Sequence, residues 1–193
     1  ENEWTAYDDD GRYKIDKHDF SFIKKGEKIN FDFAFIVIHG TPGEDGTLQG
    51  YFDLIGLKYS TPSQLATSLT FNKYYCNMFL KNFDIPVANS ILIQKKTKYN
   101  AKQICIELGL PCFIKPTDGG SSFGITKVFK IDEFENAVTL AFKHGTQVIV
   151  EEFIDGRELS NGVYLDKEGI QILPITEIIP YNDFFDYKAK YNG

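Results

Sequence analysis

The sequence has 193 residues, of which 42% are hydrophobic and 25% are charged, a composition typical of a globular protein and not of a disordered one. Asp and Glu number 27 against 21 for Lys and Arg, which gives a formal net charge of -6. An acidic chain binds nucleic acid and anionic membranes poorly, so neither is expected as a partner, and any anion site has to be local.

The first half of the sequence predicts a hairpin, one buried strand and three helices. The hairpin spans 4–15 and turns at Asp10-Gly11. The continuously apolar run 33–38 predicts a strand buried on both faces, and a polar loop follows at 39–46. The three helices are predicted over 47–55, 63–69 and 72–83, the first of them ending at Gly56.

The second half alternates strands with helices, which argues for an α/β or mixed α+β architecture. Strands are predicted over 90–93, 112–115, 125–130, 147–151 and 157–165, and one or two further strands over 170–178. Helices are predicted over 100–108 and from Asp132, as the cap, to Lys143. The tail, 180–191, lacks a clear period and is predicted to be a long loop.

The stretch 113–125 is the most informative part of the chain. An apolar strand ends at Lys115 and leads into a loop of small residues, in which Gly120, Ser121 and Ser122 follow one another. Glycines let backbone N–H groups approach an anion, hydroxyls add donors and the lysine supplies a point charge, so the pattern predicts a polyphosphate site. The alternatives are a lysine that reaches water at a strand end and an ordinary Gly-Gly hairpin turn. The loop is not a P-loop, because G-x-x-x-x-G-K-[ST] is absent and a strand follows.

Acidic residues end and follow the strand predicted over 147–151. A segment that contains Glu151, Glu152 and Ile154 can bind an adenine edge through backbone groups while its apolar side chains cover the ring. Glu158, a few residues further on, can accept hydrogen bonds from ribose hydroxyls. The alternative is a solvated acidic turn, and the spacing alone favours that alternative.

Several further residues stand where ligands commonly bind. His39 follows the buried strand, at the edge where ligands bind in open α/β sheets, although a satisfied polar residue is equally expected there. Lys73, near a helix start, opposes the helix dipole and indicates an anionic partner, whereas the acidic pair 44–45 is interpreted as helix capping. Lys190 and Tyr191 lie in a long aromatic tail loop that is typical of a lid, the alternative being a disordered chain end.

The cysteines Cys76, Cys105 and Cys112 show no C-x-x-C spacing, which favours reduced thiols in a cytoplasmic protein over a disulfide framework or a zinc site. The longest apolar run is far below the ~20 residues of a membrane span, and no signal peptide is visible. The chain begins at Glu1 without methionine and ends at Gly193 in a polar segment, so we expect it to be part of a longer protein.

Five blocks, taken in their order along the chain, resemble the D-alanine–D-alanine ligases, members of the ATP-grasp superfamily. The blocks are HGTPGEDGTLQG at 39–50, SLTFNK at 68–73, IKP at 114–116 with GSS at 120–122, VEE at 150–152 with GRE at 156–158, and FDYKAKY at 185–191. Five ordered matches are far more specific than any single one, and the resemblance covers the chain from about Phe33 onward. The departures are Asn72 for an aspartate, Gly119 for an acid, Phe123 for a valine and Glu152 for a lysine.

The resemblance implies ATP-dependent ligation of two D-alanines through an acylphosphate, for peptidoglycan synthesis. It also implies that Lys73 and Lys115 hold the α- and β-phosphates under the loop of Gly120, Ser121 and Ser122. The remaining implied contacts are Glu151, Glu152 and Ile154 with adenine, Glu158 with ribose, His39 and Ser121 with the first D-alanine, Lys190 with the γ-phosphate, and Tyr191 with the serine of the loop. A tyrosine at that lid position resembles the D-alanine type and not the ligases that accept D-lactate.

For the fold, the resemblance implies a partial ATP-grasp structure of mixed α/β class. It makes 1–62 the C-terminal part of the N-terminal substrate domain, 63–153 the central ATP-grasp subdomain, and 154–193 the start of the C-terminal subdomain with the lid loop. We also expect Mg²⁺ or Mn²⁺ with ligands outside this chain, a homodimer of the full-length protein, and an incomplete enzyme in the chain itself. The alternatives are another ATP-grasp carboxylate–amine ligase, which the lid residues disfavour, and a non-catalytic nucleotide-binding module.

Overall fold

A computed structural model describes residues 3–120 and 123–179 of the chain. The chain separates into two units, Glu1–Asn72 and Lys73–Gly193. Four predicted site residues lie outside the described residues, as does the predicted tail loop; they are Ser121, Ser122, Lys190 and Tyr191. The domain division predicted at 62/63 and 153/154 stays a prediction.

The first unit contains hairpins, a short parallel strand pair and two helices. In chain order its elements are β1 (Thr5–Asp8), β2 (Gly11–Lys14), β3 (Phe22–Lys24), β4 (Glu27–Ile29), β5 (Phe33–Ala34), α1 (Thr47–Ile55), β6 (Lys58–Tyr59) and α2 (Gln64–Phe71). The predicted β1–β2 hairpin is confirmed, and the Asp8 carboxylate fixes its turn by accepting the N–H groups of Asp10 and Gly11 at 2.9 and 3.1 Å. β3 and β4 form a second antiparallel hairpin.

Helix α1 contributes the centre of the core of this unit. It begins after Gly46 (φ +87°) and ends at Gly56 (φ +73°), as predicted. Phe52 of α1 is buried, and the ring of Phe20 meets it edge-on with centroids 4.9 Å apart. A Cβ at position 46 would lie 2.1 Å from Oγ of Ser68 on α2, so glycine is required for α2 to pack this close to the start of α1.

The strand predicted over 33–38 is wrong beyond its first two residues. β5 pairs in parallel with β6 over two residues. Phe35 and Val37 are 79% and 77% exposed, whereas the prediction required burial on both faces. An unbroken apolar run indicates a strand that needs neighbours on both faces but does not identify them, and within the described residues β5 belongs to a two-stranded sheet.

The second unit is built on a four-stranded antiparallel sheet in the order β7-β10-β8-β9. In chain order the unit consists of α3 (Lys73–Lys81), β7 (Ser90–Gln94), α4 (Ala101–Leu108), β8 (Cys112–Pro116), β9 (Thr126–Val128), α5 (Phe134–Ala141), β10 (Gln147–Glu152), β11 (Glu158–Asp166) and β12 (Gly169–Ile178). Every strand and helix predicted for this part has a counterpart, so the mixed α/β class is confirmed. β10 is central and pairs with β7 along one edge and with β8 along the other.

The core of this unit lies between one face of the sheet and helices α4 and α5. The buried face of α5 is the predicted one, formed by Phe134, Ala137, Val138 and Ala141. Alternate side chains of β8, those of Cys112 and Ile114, point into the same cluster. The opposite face of β8 therefore remains available for polar residues.

The predicted cap of α5 is wrong. The helix begins at Phe134, after a 3₁₀ turn over Ile131–Glu133, so Asp132 lies within that turn. The Glu133 carboxylate accepts the N–H groups of Phe129 and Lys130 at 2.9 and 3.3 Å and so ends β9 before the turn begins. Aspartate is a preferred N-cap by residue type, but the 3₁₀ turn moves the start of the helix past Asp132, which the local sequence does not indicate.

β11 and β12 form a separate two-stranded antiparallel sheet, with a shift in register between Asn161 and Val163. Nearly all of their side chains are exposed. Across residues 3–120 and 123–179, no helix combines the length and the apolar character that crossing a bilayer requires.

Candidate functional site

Helix α3 begins at Lys73, whose charge opposes the helix dipole. The backbone N–H of Lys73 donates to the carbonyl oxygen of Thr117 at 2.9 Å. Its ammonium donates to the carbonyl oxygens of Gly119 at 2.8 Å and Thr117 at 3.5 Å. These carbonyls belong to the loop after β8, so the start of α3 and this loop are held together. A cation thus lies beside the loop that was predicted to bind phosphates.

Lys115 lies within β8, on the face opposite the core. Its ammonium forms an ion pair with Oε2 of Glu151 on β10, and the two side chains are only 21% and 9% exposed. Ile149 is the cross-strand partner of Lys115, so Glu151, two residues later, lies on the same face of the sheet. Two residues predicted separately, one for phosphate and one for adenine, are therefore in direct contact.

A third side chain completes this cluster. Nδ2 of Asn77 on α3 donates to Oε1 of Glu151 at 2.9 Å. Asn77 was not predicted as a site residue. The sequence did contain a signal for it, because Asn77 follows Lys73 by four residues and so lies on the same face of the helix. Both oxygens of a nearly buried carboxylate are thereby satisfied, one by a charge and one by a neutral amide.

Both ends of the phosphate loop are fixed where the structure describes them. Thr117 is buried, and its N–H donates to the carbonyl of Gln147 at 3.0 Å. At the other end, the ring of Phe123 stacks on His144, with the ring centroids 6.0 Å apart. The next residue, Gly124 (φ +71°), lies so close to His144 that a Cβ at this position would be 3.0 Å from the imidazole. The departures at Phe123 and Gly119 therefore leave the ends of the loop anchored. Gly120 lies between these ends, and its carbonyl accepts the N–H of Phe123 at 3.3 Å.

A cavity of about 600 Å³ lies next to the end of β10. Ile154 and Glu158, predicted for adenine and ribose, both line it, together with Phe113 and Phe153. The two phenylalanine rings lie 6.1 Å apart, and the ammonium of Lys127 on β9 lies 4.0 Å from the centroid of the Phe153 ring. Aromatic walls with a few polar groups at the rim suit a planar heterocycle carrying a sugar.

The carboxylate of Glu152 has other partners than that of its neighbour Glu151. Its carboxylate accepts the N–H of Asn89 at 2.7 Å and the side-chain amide of Asn89 at 3.2 Å. These two hydrogen bonds hold the pKa of Glu152 below its usual value, and the bond from the backbone N–H is the larger cause. Its own N–H donates to the Asn89 carbonyl at 3.0 Å. The side chain of Glu152 therefore fastens the segment before β7, and its predicted adenine contact stays a prediction that rests on the backbone carbonyl.

His39 lies in the first unit, on the loop before α1. Its side chain is 83% exposed, and Nδ1 lies 3.5 Å from Oε1 of Glu44. The other oxygen of Glu44 accepts the N–H of Gly40 at 2.6 Å, so Glu44 shapes the loop instead of capping α1. Asp45 behaves as predicted, because its Oδ1 accepts the N–H of Thr47, the first residue of α1. His39 is thus presented to solvent by an orienting carboxylate.

The donor set of the second unit fits a nucleoside polyphosphate, since two lysines and a loop adjoin an aromatic cavity. A divalent metal is a different case. Within residues 3–120 and 123–179, no group of three or more His, Cys, Asp or Glu side chains is arranged to hold a metal ion. The described residues therefore do not form a metal-binding site.

Two family descriptions match the chain. The family described as "D-ala D-ala ligase N-terminus" matches residues 3–62, and the one described as "D-ala D-ala ligase C-terminus" matches residues 79–193. Among curated relatives, the D-alanine--D-alanine ligase of Phocaeicola vulgatus is 48% identical over 191 residues, covering 98% of this chain and 59% of that protein. The corresponding ligase of Parabacteroides distasonis is 49% identical over 193 residues, covering 100% of this chain and 58% of that protein.

Solved structures give the same picture. D-alanyl-alanine synthetase A of Vibrio cholerae matches with a TM-score of 0.81 at 27% identity, covering 98% of this chain and 60% of that one. The VanG D-Ala:D-Ser ligase of Enterococcus faecalis matches with a TM-score of 0.79 at 36% identity, covering 95% of this chain and 55% of that one. The chain therefore spans somewhat more than half the length of these four relatives.

Proposed function

Since the chain belongs to the D-alanine–D-alanine ligase family, we propose that it carries the nucleotide-binding part of an enzyme that ligates two D-alanines with ATP. The product, D-alanyl-D-alanine, serves peptidoglycan synthesis. The observations that carry this proposal are that Lys73 holds the loop after β8, that Lys115 contacts Glu151, and that Phe113, the cross-strand partner of Glu151, lines the aromatic cavity. Phosphoryl transfer depends mainly on positioning and on neutralising charge, and this arrangement supplies both.

ATP supplies the phosphoryl group that activates the carboxylate of the first D-alanine as an acylphosphate. The amine of the second D-alanine then attacks the acyl carbon, phosphate leaves and the amine loses a proton. In this scheme Lys73 and Lys115 neutralise the α- and β-phosphates, and the loop with Gly120, Ser121 and Ser122 covers them. The lysines are suited to this task because each is a compact charge on a flexible stem.

The nucleoside is assigned to the cavity beside β10. Glu151, Ile154 and the backbone of Glu152 contact adenine, and Glu158 accepts from the ribose hydroxyls. The aromatic pair Phe113 and Phe153 supports these assignments, because its rings offer apolar surface to the base.

The remaining roles are proposed from the family resemblance. His39 and Ser121 seat the first D-alanine, Lys190 reaches the γ-phosphate, and Tyr191 links the lid to the serine. Mg²⁺ or Mn²⁺ accompanies ATP, the protein acts in the cytoplasm, and it forms a homodimer. For His39, the contact with Glu44 supports the proposal, since that carboxylate orients the imidazole at the surface.

The test is phosphate release by the protein at its natural length, with ATP, Mg²⁺ and candidate substrates. We expect release that depends on D-alanine, with D-alanyl-D-alanine as the product identified by mass spectrometry. L-Alanine is the negative control, and Lys115→Met serves as the ATP-site control. D-Serine and D-lactate are tested as acceptors, because one structural relative is a D-Ala:D-Ser ligase. Release that ignores a second D-alanine but responds to D-serine would replace the proposed acceptor.

A further inference from the structure

Helix α3 presents two polar side chains to the nucleotide site, and only one of them is a cation. Lys73 at its first residue holds the carbonyls of the loop after β8, and Asn77, one turn later, holds Glu151. Asn77 carries no charge to offer a phosphate. Its contact is with the one acid of the cluster, at 2.9 Å, so its role has to act through Glu151.

Glu151 lies between the phosphate side and the base side of the site. On the sheet face opposite the core, Lys115 contacts its Oε2 from one direction. Its cross-strand partner on β8 is Phe113, which lines the aromatic cavity. The carboxylate therefore stands between the lysine proposed for phosphate and the cavity proposed for the base.

The two partners of Glu151 differ in how easily they leave. Lys115 has a flexible four-carbon stem and a charge that a polyphosphate attracts, whereas Asn77 is short and sits on a helix. A carboxylate that is 9% exposed needs hydrogen-bond partners at all times, because an unpaired buried charge is strongly disfavoured. When Lys115 turns to a phosphate, Asn77 is the partner that remains.

We propose that Asn77 is a positioning residue for base selection. By holding Oε1 of Glu151, it keeps Oε2 in place while that oxygen exchanges the Lys115 ammonium for the exocyclic amine of adenine. Phosphate binding and base binding are thereby linked through one carboxylate. This inference rests on the proposed function, since it requires ATP as the ligand.

The experiment compares ATP with purine riboside 5′-triphosphate, which lacks the exocyclic amine, on the protein at its natural length. In the wild type we expect ATP to bind about tenfold more tightly, the value of a hydrogen bond to a charged group. In Asn77→Ala and in Asn77→Leu, which is similar in size to asparagine but has no donor and no charge, we expect this ratio to fall towards one, while binding of the amine-free nucleotide changes little. The readout is the dissociation constant of each nucleotide by calorimetry.

Asn82→Ala is the matched control. Asn82 follows the same helix, but its amide donates to the carbonyl of Met78 within α3, so its loss affects the helix and not Glu151. We expect the nucleotide ratio of this variant to equal that of the wild type. Asn77→Leu fills the same space without adding a charge, so it remains informative if Asn77→Ala fails to fold.

The outcomes separate the two proposals. A wild type that binds neither nucleotide overturns the proposed function and this inference with it. A wild type that binds both nucleotides equally, or an Asn77→Leu variant that keeps the full preference for ATP, overturns this inference and leaves the proposed function standing.

Discussion

Lys115 and Glu151 are charged side chains that the fold largely withdraws from water. Such a pair contributes little net stability compared with apolar residues, but removing one partner leaves the other charge unpaired and is strongly destabilising. The pair thus couples the stability of the sheet to an arrangement that serves ligand binding.

We expect Lys115→Met to lower the free energy of unfolding by about 3 kcal/mol, the low end of the range for a broken buried pair, because Lys115 keeps some contact with water. Urea unfolding of the chain measures this value. The double variant Lys115→Met/Glu151→Gln removes the unpaired charge while keeping an acceptor for Asn77, so it should recover most of the loss.

The exposed pair Lys14 and Glu3 provides the control. Its side chains are 73% and 65% exposed, so Lys14→Met should leave the free energy of unfolding nearly unchanged. If Lys115→Met is as mild as Lys14→Met, the view of Lys115 and Glu151 as a desolvated pair is wrong.

At this scale the sequence singled out the charged residues of the candidate site and not the neutral ones. Lys73, Lys115 and Glu151 stand out because a charge at a strand end or helix start needs a reason. Asn77 and Asn89 do not stand out, because an amide is ordinary on any surface, and its partner lies more than 60 residues away. Only the folded arrangement shows that these two amides direct Glu151 and Glu152 to different tasks.

Between elements, Tyr99 joins the segment before α4 to helix α5. Its hydroxyl donates to Oε2 of Glu135 at 2.5 Å. Burial, followed by this hydrogen bond and the charge of Glu135, raises the pKa of Tyr99 to about 12. The neutral phenol is therefore the form that stabilises the contact.

We expect this contact to make the protein sensitive to alkali. An unfolded tyrosine ionises with a pKa of about 10, whereas folded Tyr99 keeps its proton up to about 12. The stabilisation is therefore complete below pH 10 and is lost as the pH rises to about 12. Tyr99→Phe should lower the free energy of unfolding by about 1 kcal/mol at pH 8. This difference from the wild type should shrink as the pH rises from 10 to about 12, because only the wild type loses stabilisation there.

Unfolding by urea at a series of pH values measures this difference. Glu135→Gln keeps the burial, which is the larger cause, so it should reduce the pH dependence only in part. A constant gap between wild type and Tyr99→Phe from pH 8 to pH 12 would contradict the assignment.

Elements with local signals were predicted well. The bounds of α1 were predicted to the residue and α4 ends before Gly109 as expected, because glycine stops act within a few residues, whereas Asn100, predicted as the first residue of α4, is its N-cap. β5 was predicted too long, since a strand is completed by a neighbour that its own sequence does not name. Tertiary pairing, and not propensity, sets the ends of strands.

At the scale of the whole molecule, the three cysteines differ in how deeply they are buried. Cys105 and Cys112 are buried, and Cys76 on α3 is partly exposed. Burial raises the pKa of the Cys105 thiol, and burial together with Cys105 raises that of Cys112 to about 11. Composition predicted reduced thiols, but it did not predict that two of them would be part of the core.

We expect one fast-reacting thiol in the native chain when a disulfide reagent is added at pH 8. Cys112 has about a thousandth of its thiol ionised at that pH and lies out of reach, so it and Cys105 should react only after unfolding. Absorbance of the released thiolate counts the thiols. In Cys76→Ser the fast phase should vanish, and two or three fast thiols in the native wild type would contradict the burial of this core.

The central position of β10 has a consequence for where mutations act. Adjacent side chains on this strand face opposite sides, so Glu151 meets Lys115 while Glu152 turns to Asn89. A slip of one residue would place Glu152 at the ligand, in the position of Glu151, and would turn Glu151 into the core in the position of Val150. The pairing of β10 with β7 on one edge and with β8 on the other prevents this slip. Substitutions of core-facing residues in those strands, such as Ile93 and Ile114, can therefore change which ligand the protein selects, because they change the alignment of β10 without touching the ligand site itself.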